Sequence, residues 1–185
     1  MTWFAAIFCA IFWVLVILGG IIVLIVYLVF RPRSPRFDVS TATLNAAYLD
    51  VGNLLNADLT VLANFTNPNK KVSVDFSYVT LDVSFANTLI ATRYVPPFKA
   101  KRADSMLADV HMVTSQVRLS VQESELLKRQ IANNRVKFEV RGIFHARSTL
   151  GNILGYSYKL YTTCNIELTG PPTGVLRSSK CKTKR

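Results

Sequence analysis

Residues 59–66 read LTVLANFT, and the apolar side chains of one phase of this stretch fall on every second position. The members of that phase are Leu59, Val61, Ala63 and Phe65. A spacing of two is the period of a β-strand that buries one face in a core and turns the other towards water. The stretch therefore predicts a half-buried strand of an antiparallel sheet.

The same alternation recurs along the chain, at residues 72–76, 81–85, 136–140 and 156–160. Turn residues separate these segments, because proline fixes φ while asparagine and glycine accept conformations that most residues avoid. The predicted turns are Asn67-Pro68-Asn69, Val95-Pro96-Pro97, Gly151-Asn152 and Gly170-Pro171-Pro172. About seven strands with this spacing predict an all-β domain built as a sandwich of two sheets.

One stretch departs from the strand pattern and predicts a single helix near residues 121–132. Ser120 and Glu123 have the spacing of a capping box, in which each side chain bonds the backbone of the other residue. Asn133 and Asn134 end the pattern. The apolar residues that approximate one helical face are Val121, Leu126, Leu127 and Ile131. We expect this helix to lie against or between the sheets.

The first 30 residues carry no charge and predict a membrane anchor. A helix from Trp3 to Phe30 would be about 42 Å long, against about 30 Å for the hydrocarbon core of a bilayer. A cleaved signal peptide is the alternative. The segment has no basic start, its apolar run is about twice the usual length, and no small-residue cleavage site follows it. We therefore expect an uncleaved, single-pass helix.

The predicted domain organisation has four parts: a transmembrane anchor at residues 1–30, a basic proline-containing spacer at 31–36, the β-sandwich at 37–170 and a basic C-terminal tail at 171–185. The spacer carries three juxtamembrane arginines, Arg31, Arg33 and Arg36. Positive charge beside a membrane helix favours the cytoplasmic side, although long folded domains often cross against this bias. The arginines alone therefore favour a cytosolic domain.

The net charge limits the class of partner. All 22 Lys and Arg and all 11 Asp and Glu lie after residue 30, so the net charge of +11 belongs to the segment that meets water. A domain with this balance favours anionic partners, such as nucleic acid, anionic lipid headgroups or acidic polysaccharide. The basic residues are scattered and lack a zinc-finger spacing, an RNP-like string or a basic helical face, which argues against nucleic acid.

No catalytic, cofactor or metal site is predicted. His111 and His145 are the best bases near neutral pH, and a hydrolase would pair one of them with a serine and an aspartate. The sequence has no G-x-S-x-G elbow, phosphate-binding loop, H-E-x-x-H motif or paired-cysteine metal spacing. Both histidines fall in strand-like segments, so we interpret them as residues of a sheet surface and the protein as a non-enzyme.

Two features bear on the compartment. A bridge between Cys164 and Cys181 would close the loop of residues 164–181 and stabilise the domain by about 3 kcal/mol, whereas two unrelated reduced thiols are equally compatible with the sequence. Asn64 heads a glycosylation sequon, Asn64-Phe65-Thr66, and falls on the polar phase of its strand. Bridge and sequon together favour the oxidising, lumenal side of a membrane.

Two further features of the sequence are candidate recognition sites. The turn Asn67-Pro68-Asn69-Lys70-Lys71 is the most distinctive, although a rigid connection between strands explains it without a ligand. Tyr156, Tyr158 and Tyr161 do not share one alternation phase, so no sugar-binding platform is predicted from them. The phenylalanines of the strands are predicted as core: Phe65, Phe76, Phe85, Phe138 and Phe144.

Three motifs follow one another in a specific order. They are Arg31-Pro32-Arg33-Ser34-Pro35-Arg36-Phe37-Asp38-Val39 after the apolar helix, Asn67-Pro68-Asn69-Lys70-Lys71 after a strand, and Cys164-Asn165-Ile166, Gly174-Val175-Leu176 and Cys181 near the end. Together they resemble the plant family of hairpin-induced and non-race-specific-resistance-like proteins. These proteins carry a group-2 late-embryogenesis-abundant domain, and many are catalogued as hydroxyproline-rich glycoproteins. The resemblance covers essentially the whole chain.

The resemblance implies a fibronectin-III-like or immunoglobulin-like sandwich with one helix. It also implies a place in the plasma membrane, with the domain facing the cell wall, and roles in pathogen defence or in tolerance of drought, cold or salt. Members of the family usually have a longer, often basic tail before the helix, whereas only Met1 and Thr2 stand there in this sequence. We expect the domain on the outer face, with a cytosolic orientation as the alternative.

Three functions of different classes are compatible with the sequence. The first is a non-enzymatic, membrane-anchored sandwich at the plant cell surface that acts in defence or stress responses by contact with acidic cell-wall polysaccharide, anionic lipid or a cell-surface protein partner. The second is a lipid-binding or membrane-tethering protein, which requires a continuous apolar cavity between the sheets. A hydrolase, the third, requires His111 or His145 beside a nucleophile.

Overall fold

The computed structural model describes residues 2–30, 33–150 and 154–185. The chain forms two compact units, Met1–Arg33 and Ser34–Arg185. Arg31 and the predicted turn at Gly151-Asn152 lie outside the described residues, so what the sequence predicts for them stays a prediction.

The first unit contains helix α1, Thr2–Phe30. Within it, Ile7–Ile25 is a stretch of 19 residues with a mean hydropathy of 3.0, and none of it is buried. By length and composition this helix can cross a membrane, and an N-terminal signal sequence has the same properties.

The second unit is built from antiparallel strands. Its elements in chain order are β1 (Arg36–Asp50), β2 (Leu54–Thr66), β3 (Ser73–Phe85), β4 (Thr88–Val95), β5 (Phe98–Ala100), β6 (Ser105–Arg118), α2 (Val121–Ala132), β7 (Val136–Leu150), β8 (Leu154–Leu168) and β9 (Gly174–Lys184). The described part of the domain thus has nine strands, compared with about seven expected. Short β5 continues the edge of the sheet after Pro96-Pro97.

The strands form one nearly closed sheet in the order β4-β3-β7-β8-β9-β1-β2-β6, with β5 also paired to β3. Two side chains bridge the gap between the end strands β4 and β6. The Thr114 hydroxyl donates to the carbonyl oxygen of Ile90, and Arg93 Nε donates to the carbonyl oxygen of His111 at 3.1 Å. Folding the sheet in this way brings its two halves face to face, which confirms the predicted all-β sandwich with one helix.

The core lies between the two halves. The predicted apolar phase of β2 points into it, since the four side chains from Leu59 to Phe65 on that phase are buried. The phenylalanines predicted as core are all buried as well. Three of these phenylalanines pack with Phe37 and Phe98 in one cluster of rings with centroid distances of 4.8 to 6.4 Å: Phe37, Phe65, Phe76, Phe98 and Phe144. These rings fill one end of the space between the sheets.

Helix α2 begins and ends where the sequence predicts. The Ser120 hydroxyl accepts from the Glu123 backbone N–H at 3.2 Å, and Glu123 Oε2 accepts from the Ser120 N–H at 2.9 Å, which completes the capping box. The predicted apolar face is only partly correct. Leu127 is buried, whereas Val121 and Leu126 are 68% and 40% exposed, so the helix packs with a narrower face than the pattern indicated.

The segment predicted as a C-terminal tail is instead strand β9, which pairs with β8 along most of its length and with β1 at Thr43 and Leu44. The prediction that the sandwich ends at residue 170 is therefore wrong. Gly174 allows the close approach to β1, because a Cβ atom there would lie 2.5 Å from the Thr169 carbonyl oxygen and 2.8 Å from Leu44 Cβ.

Candidate ligand-binding face

Three exposed tyrosines and an isoleucine share the outer face of the β4-β3-β7-β8-β9 half of the sheet. Their exposed fractions are 45% for Tyr78, 52% for Tyr94, 38% for Ile143 and 49% for Tyr161. Each follows or precedes a buried neighbour on its strand, so each points away from the core. We call this surface the tyrosine face.

The strand register sets these side chains side by side. Thr80 of β3 pairs with Tyr94 of β4 on one side and with Ile143 of β7 on the other. Ile143 pairs with Tyr161 of β8, and Tyr161 pairs with Lys184 of β9. With about 4.8 Å between neighbouring strands, Tyr94 and Tyr161 stand about 14 Å apart on a row that crosses the sheet.

A β-bulge brings the third tyrosine onto this surface. The register of β3 against β7 shifts between Phe76 and Tyr78, so that Tyr78 leaves the alternation phase that Phe76 keeps. Phe76 stays in the core, and Tyr78 turns outward to pair with His145. The Tyr78 ring lies 5.6 Å from the Tyr94 ring and 5.5 Å from the His145 ring, centroid to centroid.

Five cations of β7, β8 and β9 lie on the same outer face as the tyrosines and have no acidic partner among the described residues. They are Arg147, Lys159, Lys180, Lys182 and Lys184. Lys159 pairs with His145 in the register, on one side of the tyrosine row. Lys182 pairs with Thr163 on the other side of the row, and Lys184 stands at its end. The surface therefore carries uncompensated positive charge on both sides of its aromatic centre.

The carboxylates of the same surface are already engaged locally. Arg141 Nε lies 2.7 Å from Glu139 Oε1, and Lys99 Nζ lies 3.5 Å from Asp75 Oδ1. The hydrogen bond from Arg135 lowers the pKa of Glu167 below its ordinary value, which keeps that carboxylate ionised and paired. These acids do not offset the five cations.

A shallow groove of about 640 Å³ adjoins the tyrosine face where β3 bulges. Its lining includes His145, Arg147, Ser157 and Lys159. The Arg147 guanidinium lies over Gly155, since a Cβ atom at Gly155 would stand 2.9 Å from Arg147 Nε. The groove can accept anionic groups through charge and hydrogen bonds.

Tyr156, Tyr158 and Tyr161 do not form this surface together. Tyr156 and Tyr158 stack with centroids 5.7 Å apart, and the Arg185 guanidinium lies 4.6 Å from the Tyr158 centroid. Burial raises the pKa of Tyr158, whereas a hydrogen bond to Ser148 lowers it. Tyr161 lies on the opposite phase of β8 and alone joins the tyrosine face.

Cys164 and Cys181 are joined in a disulfide between β8 and β9. They are paired residues of the two strands, with Cα atoms 4.0 Å apart. Cys164 is fully buried, so the bridge fastens β9 to the core of the sheet. The third cysteine, Cys9, is unpaired and lies in α1.

Asn64, the residue of the sequon, lies in the middle of β2 between Asp38 of β1 and Leu107 of β6. It is intermediate in exposure, and its Oδ1 atom is buried without a hydrogen-bond partner among the described residues. Glycosylation at Asn64 stays a prediction. Because the folded strand holds this amide against the sheet, a glycan would have to be attached before the domain folds.

The candidate recognition turn, residues 67–71, has a structural role. Asn67 is fully buried, and its Nδ2 donates to the carbonyl oxygens of Val72 and Lys101, each at 2.9 Å. Its Oδ1 accepts from the N–H and the side-chain amide of Asn69. Only Lys70 and Lys71 of this turn are exposed while Pro68 is intermediate, so the buried amides are not available to a ligand.

The two histidines lie on opposite outer faces of the sandwich. His111 Nε2 lies 2.7 Å from Asp58 Oδ1 on the β1-β2-β6 half, and no hydroxyl bonds the other ring nitrogen within the described residues. His145 contacts the Tyr78 ring on the tyrosine face. The described part of the chain also contains no group of three or more His, Cys, Asp or Glu residues that could hold a metal ion.

The described juxtamembrane arginines are placed as follows. Arg33 is exposed and ends the first unit, and Arg36 is exposed and begins β1, where it pairs with Thr66. The side of a membrane on which they lie stays a prediction.

Together these features define a β-sandwich protein with one apolar N-terminal helix of membrane-spanning length and a cationic, aromatic outer face. Residues 62–153 match the family model described as late embryogenesis abundant protein. This match and the similarity to NDR1/HIN1-like plant proteins support the NDR1/HIN1-like, late-embryogenesis-abundant family.

Three curated relatives from Arabidopsis thaliana are similar to this chain. NDR1/HIN1-like protein 26 is 19% identical over 172 residues, covering 88% of this chain and 81% of the relative. NDR1/HIN1-like protein 3 is 24% identical over 171 residues, covering 89% and 74%. An uncharacterized protein is 26% identical over 132 residues, covering 68% and 59%, so the chain spans well under two thirds of that relative.

Among solved structures, a protein from Archaeoglobus fulgidus is similar at 12% identity and a TM-score of 0.32, over 83% of this chain and 98% of that one. A solution structure of an Arabidopsis thaliana protein is similar at 11% identity and a TM-score of 0.31, over 81% and 83%.

Proposed function

We propose that this protein is a non-enzymatic, single-pass plasma-membrane protein of plants that acts in defence or abiotic stress responses. In this proposal α1 crosses the membrane and the β-sandwich faces the cell wall, where the tyrosine face contacts an anionic partner. The observation that carries the proposal is the group of five cations without acidic partners around the exposed tyrosines. The names of the NDR1/HIN1-like relatives and the apolar helix support it.

The mechanism is contact and not chemistry. The tyrosine face offers aromatic surface and fixed positive charge, and it offers no nucleophile held by a base. Such a surface attracts polyanions, and the attraction weakens as salt screens the charges. The rings packed around Phe65 fill one end of the interior, which weighs against a lipid carried between the sheets.

The orientation is tested through the three cysteines of the intact chain expressed in plant cells. Plasma-membrane fractions are denatured without reductant and treated with a maleimide that adds mass to each free thiol. An oxidised Cys164–Cys181 pair is expected to gain two labels only after reduction. A Cys181→Ser variant serves as control, because it should show no such gain. If wild-type protein gains no label on reduction, its thiols were free, the domain faces the cytosol, and the proposal is wrong.

The contact mechanism is tested with purified full-length protein in a non-ionic detergent and isolated cell walls. We expect binding to fall steeply between about 0.01 M and about 1 M salt, because the Debye length falls from about 30 to about 3 Å over this range. Binding that is the same at both salt concentrations would contradict an electrostatic contact, whatever the orientation of the domain.

A further inference from the structure

We propose that the ligand of the tyrosine face is an acidic polysaccharide whose chain of uronic acid units lies along the row from Tyr94 to Tyr161. The inference rests on the proposed function for the compartment in which face and polysaccharide meet. It goes further in naming the ligand class, the residues that hold it and the direction of the bound chain.

The aromatic row suits sugar rings because of its shape. Tyr94, Ile143 and Tyr161 project from β4, β7 and β8 at the same level of one sheet, with Thr80 of β3 between Tyr94 and Ile143, so their exposed surfaces form a strip about 14 Å long. The C–H faces of a pyranose are apolar and slightly positive, and they pack on the electron-rich face of a tyrosine ring. A strip with a tyrosine ring at each end can therefore hold successive units of an extended chain.

The cations lie where the carboxylates of such a chain would project. A sugar chain on the row would have Lys159 and His145 along one edge and Lys182 along the other, with Lys184 at the end. Each uronate unit carries one carboxylate at the edge of its ring, so single charges on both edges complement it. Arg147 in the adjoining groove adds a planar donor that fits a carboxylate.

The position of the tyrosines argues against a lipid surface as the partner. Proteins that insert into the headgroup region do so with an apolar face that penetrates about 5–10 Å. Here Tyr78 and Tyr161 stand within long strands, Tyr94 lies next to the last residue of β4, and Lys184 flanks Tyr161 at the same level. A sheet face of this kind lies on an extended polymer more readily than it enters a bilayer. Anionic vesicles and single-stranded RNA are the rival anionic ligands, and the experiment has to distinguish binding to them from binding to the polysaccharide.

The test measures binding of purified full-length protein in a non-ionic detergent to polygalacturonate. The matched probe is the same polymer with its carboxylates methyl-esterified, which keeps the sugar faces and removes the charge. Phosphatidylserine vesicles and polyuridylate serve as rival probes. We expect tight binding to polygalacturonate, with a loss of about tenfold or more on esterification, because each lost ion contact costs a large part of the affinity.

Two pairs of variants locate the site on the tyrosine face. Tyr161→Ser is compared with Tyr48→Ser, since Tyr48 is 55% exposed on β1 of the other half of the sheet. Lys159→Gln/Lys184→Gln is compared with Lys70→Gln/Arg102→Gln, which removes the same charge from an exposed turn at another place. We expect Tyr161→Ser to weaken polygalacturonate binding about three- to tenfold and the lysine pair to weaken it more, while both controls bind like wild type.

Three results would overturn the inference: equal binding of the esterified polymer, equal losses in the control variants, or tighter binding of vesicles or polyuridylate that the same face variants abolish. Circular dichroism of each variant checks that the fold is retained. Failure here is distinct from failure of the proposed function, because the thiol-labelling experiment reports the orientation of the domain without reference to any ligand.

Discussion

The side-chain amide of Asn67 donates a hydrogen bond of 2.9 Å to the carbonyl oxygen of Lys101, 34 residues further along the chain. The bond is one of a set that ties the end of β2 to the loop before β6, since Asn67 N–H also donates to the Asp104 carbonyl oxygen at 2.9 Å. Asn69 closes the set by accepting from Ala103 N–H. A turn that sequence alone presents as an exposed connection is thus a buried polar junction between two loops.

Asn67→Ala is expected to lower the free energy of unfolding by roughly 2–3 kcal/mol, because it removes two buried donors and leaves buried carbonyl oxygens unpaired. Urea unfolding followed by the near-ultraviolet circular dichroism of the tyrosines measures this. Lys70→Ala is the control, since Lys70 is exposed in the same turn and should shift stability by less than about 0.5 kcal/mol. Equal stability of Asn67→Ala and wild type would show that the junction is not a stabilising element.

Much of the fold could be predicted because its signals are local. The period-two pattern of β2 and the capping box of α2 are each complete within a dozen residues, so the chain itself specifies them. Strand β9 gave no such signal. Of its partly buried positions Leu176 and Cys181 pack against the core, whereas Ser179 and Thr183 are polar, and its place in the sheet depends on pairing with β8 and on the disulfide. A strand with so few apolar residues on its inner face resembles a polar tail in sequence.

The tyrosine face could not be predicted, because its members come from four separate strands. Tyr94 and Tyr161 become neighbours of one row only through the order β4-β3-β7-β8, which alternation patterns do not reveal. Tyr78 reaches the face through a bulge that changes its phase. The signal that existed was the outward phase of Tyr94 and Tyr161, each on its own strand. Combining those phases requires the strand order, which is a property of the tertiary structure.

Cys181→Ser is expected to lower the free energy of unfolding by about 3 kcal/mol, since the disulfide closes a loop with a sequence separation of 17. The reason is that the bridge restricts the unfolded chain, and in the folded state it fastens β9 to β8. Urea unfolding of oxidised protein measures the change. Reductant should destabilise wild type to the level of the variant and leave the variant unaffected. A variant that unfolds at the wild-type midpoint would contradict this account of β9.

The capping box of α2 makes the free energy of unfolding of the domain depend on pH. Ser120→Ala should cost about 1 kcal/mol, because it removes an acceptor for a helix-terminal N–H. The hydrogen bond from the Ser120 backbone N–H is the largest cause that lowers the folded-state pKa of Glu123 below its ordinary value of 4.5. The contribution of Glu123 is therefore fully present above that ordinary pKa and is lost as pH falls through the lowered value.

The variant Glu123→Gln measures the contribution of the Glu123 carboxylate to the free energy of unfolding. The difference in unfolding free energy between wild type and variant is expected to be largest near neutral pH and to shrink as the pH is lowered below about 4.5. Glu125→Gln is the control, since Glu125 lies in the same helix and pairs only with exposed Lys128. A difference for Glu123→Gln that stays constant from neutral to acidic pH would contradict the assignment of the lowered pKa.

Gly155→Ala tests whether the position of the Arg147 guanidinium matters for the groove beside the tyrosine face. The added methyl group would stand 2.9 Å from Nε and 3.0 Å from Nη2 of Arg147, so the flexible end of that side chain has to move. Because no backbone atom is displaced, we expect the free energy of unfolding to fall by less than about 1 kcal/mol. Affinity for polygalacturonate should fall as well, but less than it falls in Arg147→Gln, which removes the charge altogether.

Gly170→Ala is the matched control, because the added methyl group there meets first the side-chain oxygen of Asn134 at 3.3 Å, away from the groove. Its polygalacturonate affinity should equal that of wild type. If Gly155→Ala binds like wild type while Arg147→Gln binds weakly, the charge of Arg147 acts without a fixed position, and the groove attracts the polymer without orienting it. If both bind like wild type, Arg147 takes no part, and the bound chain lies on the tyrosine row alone.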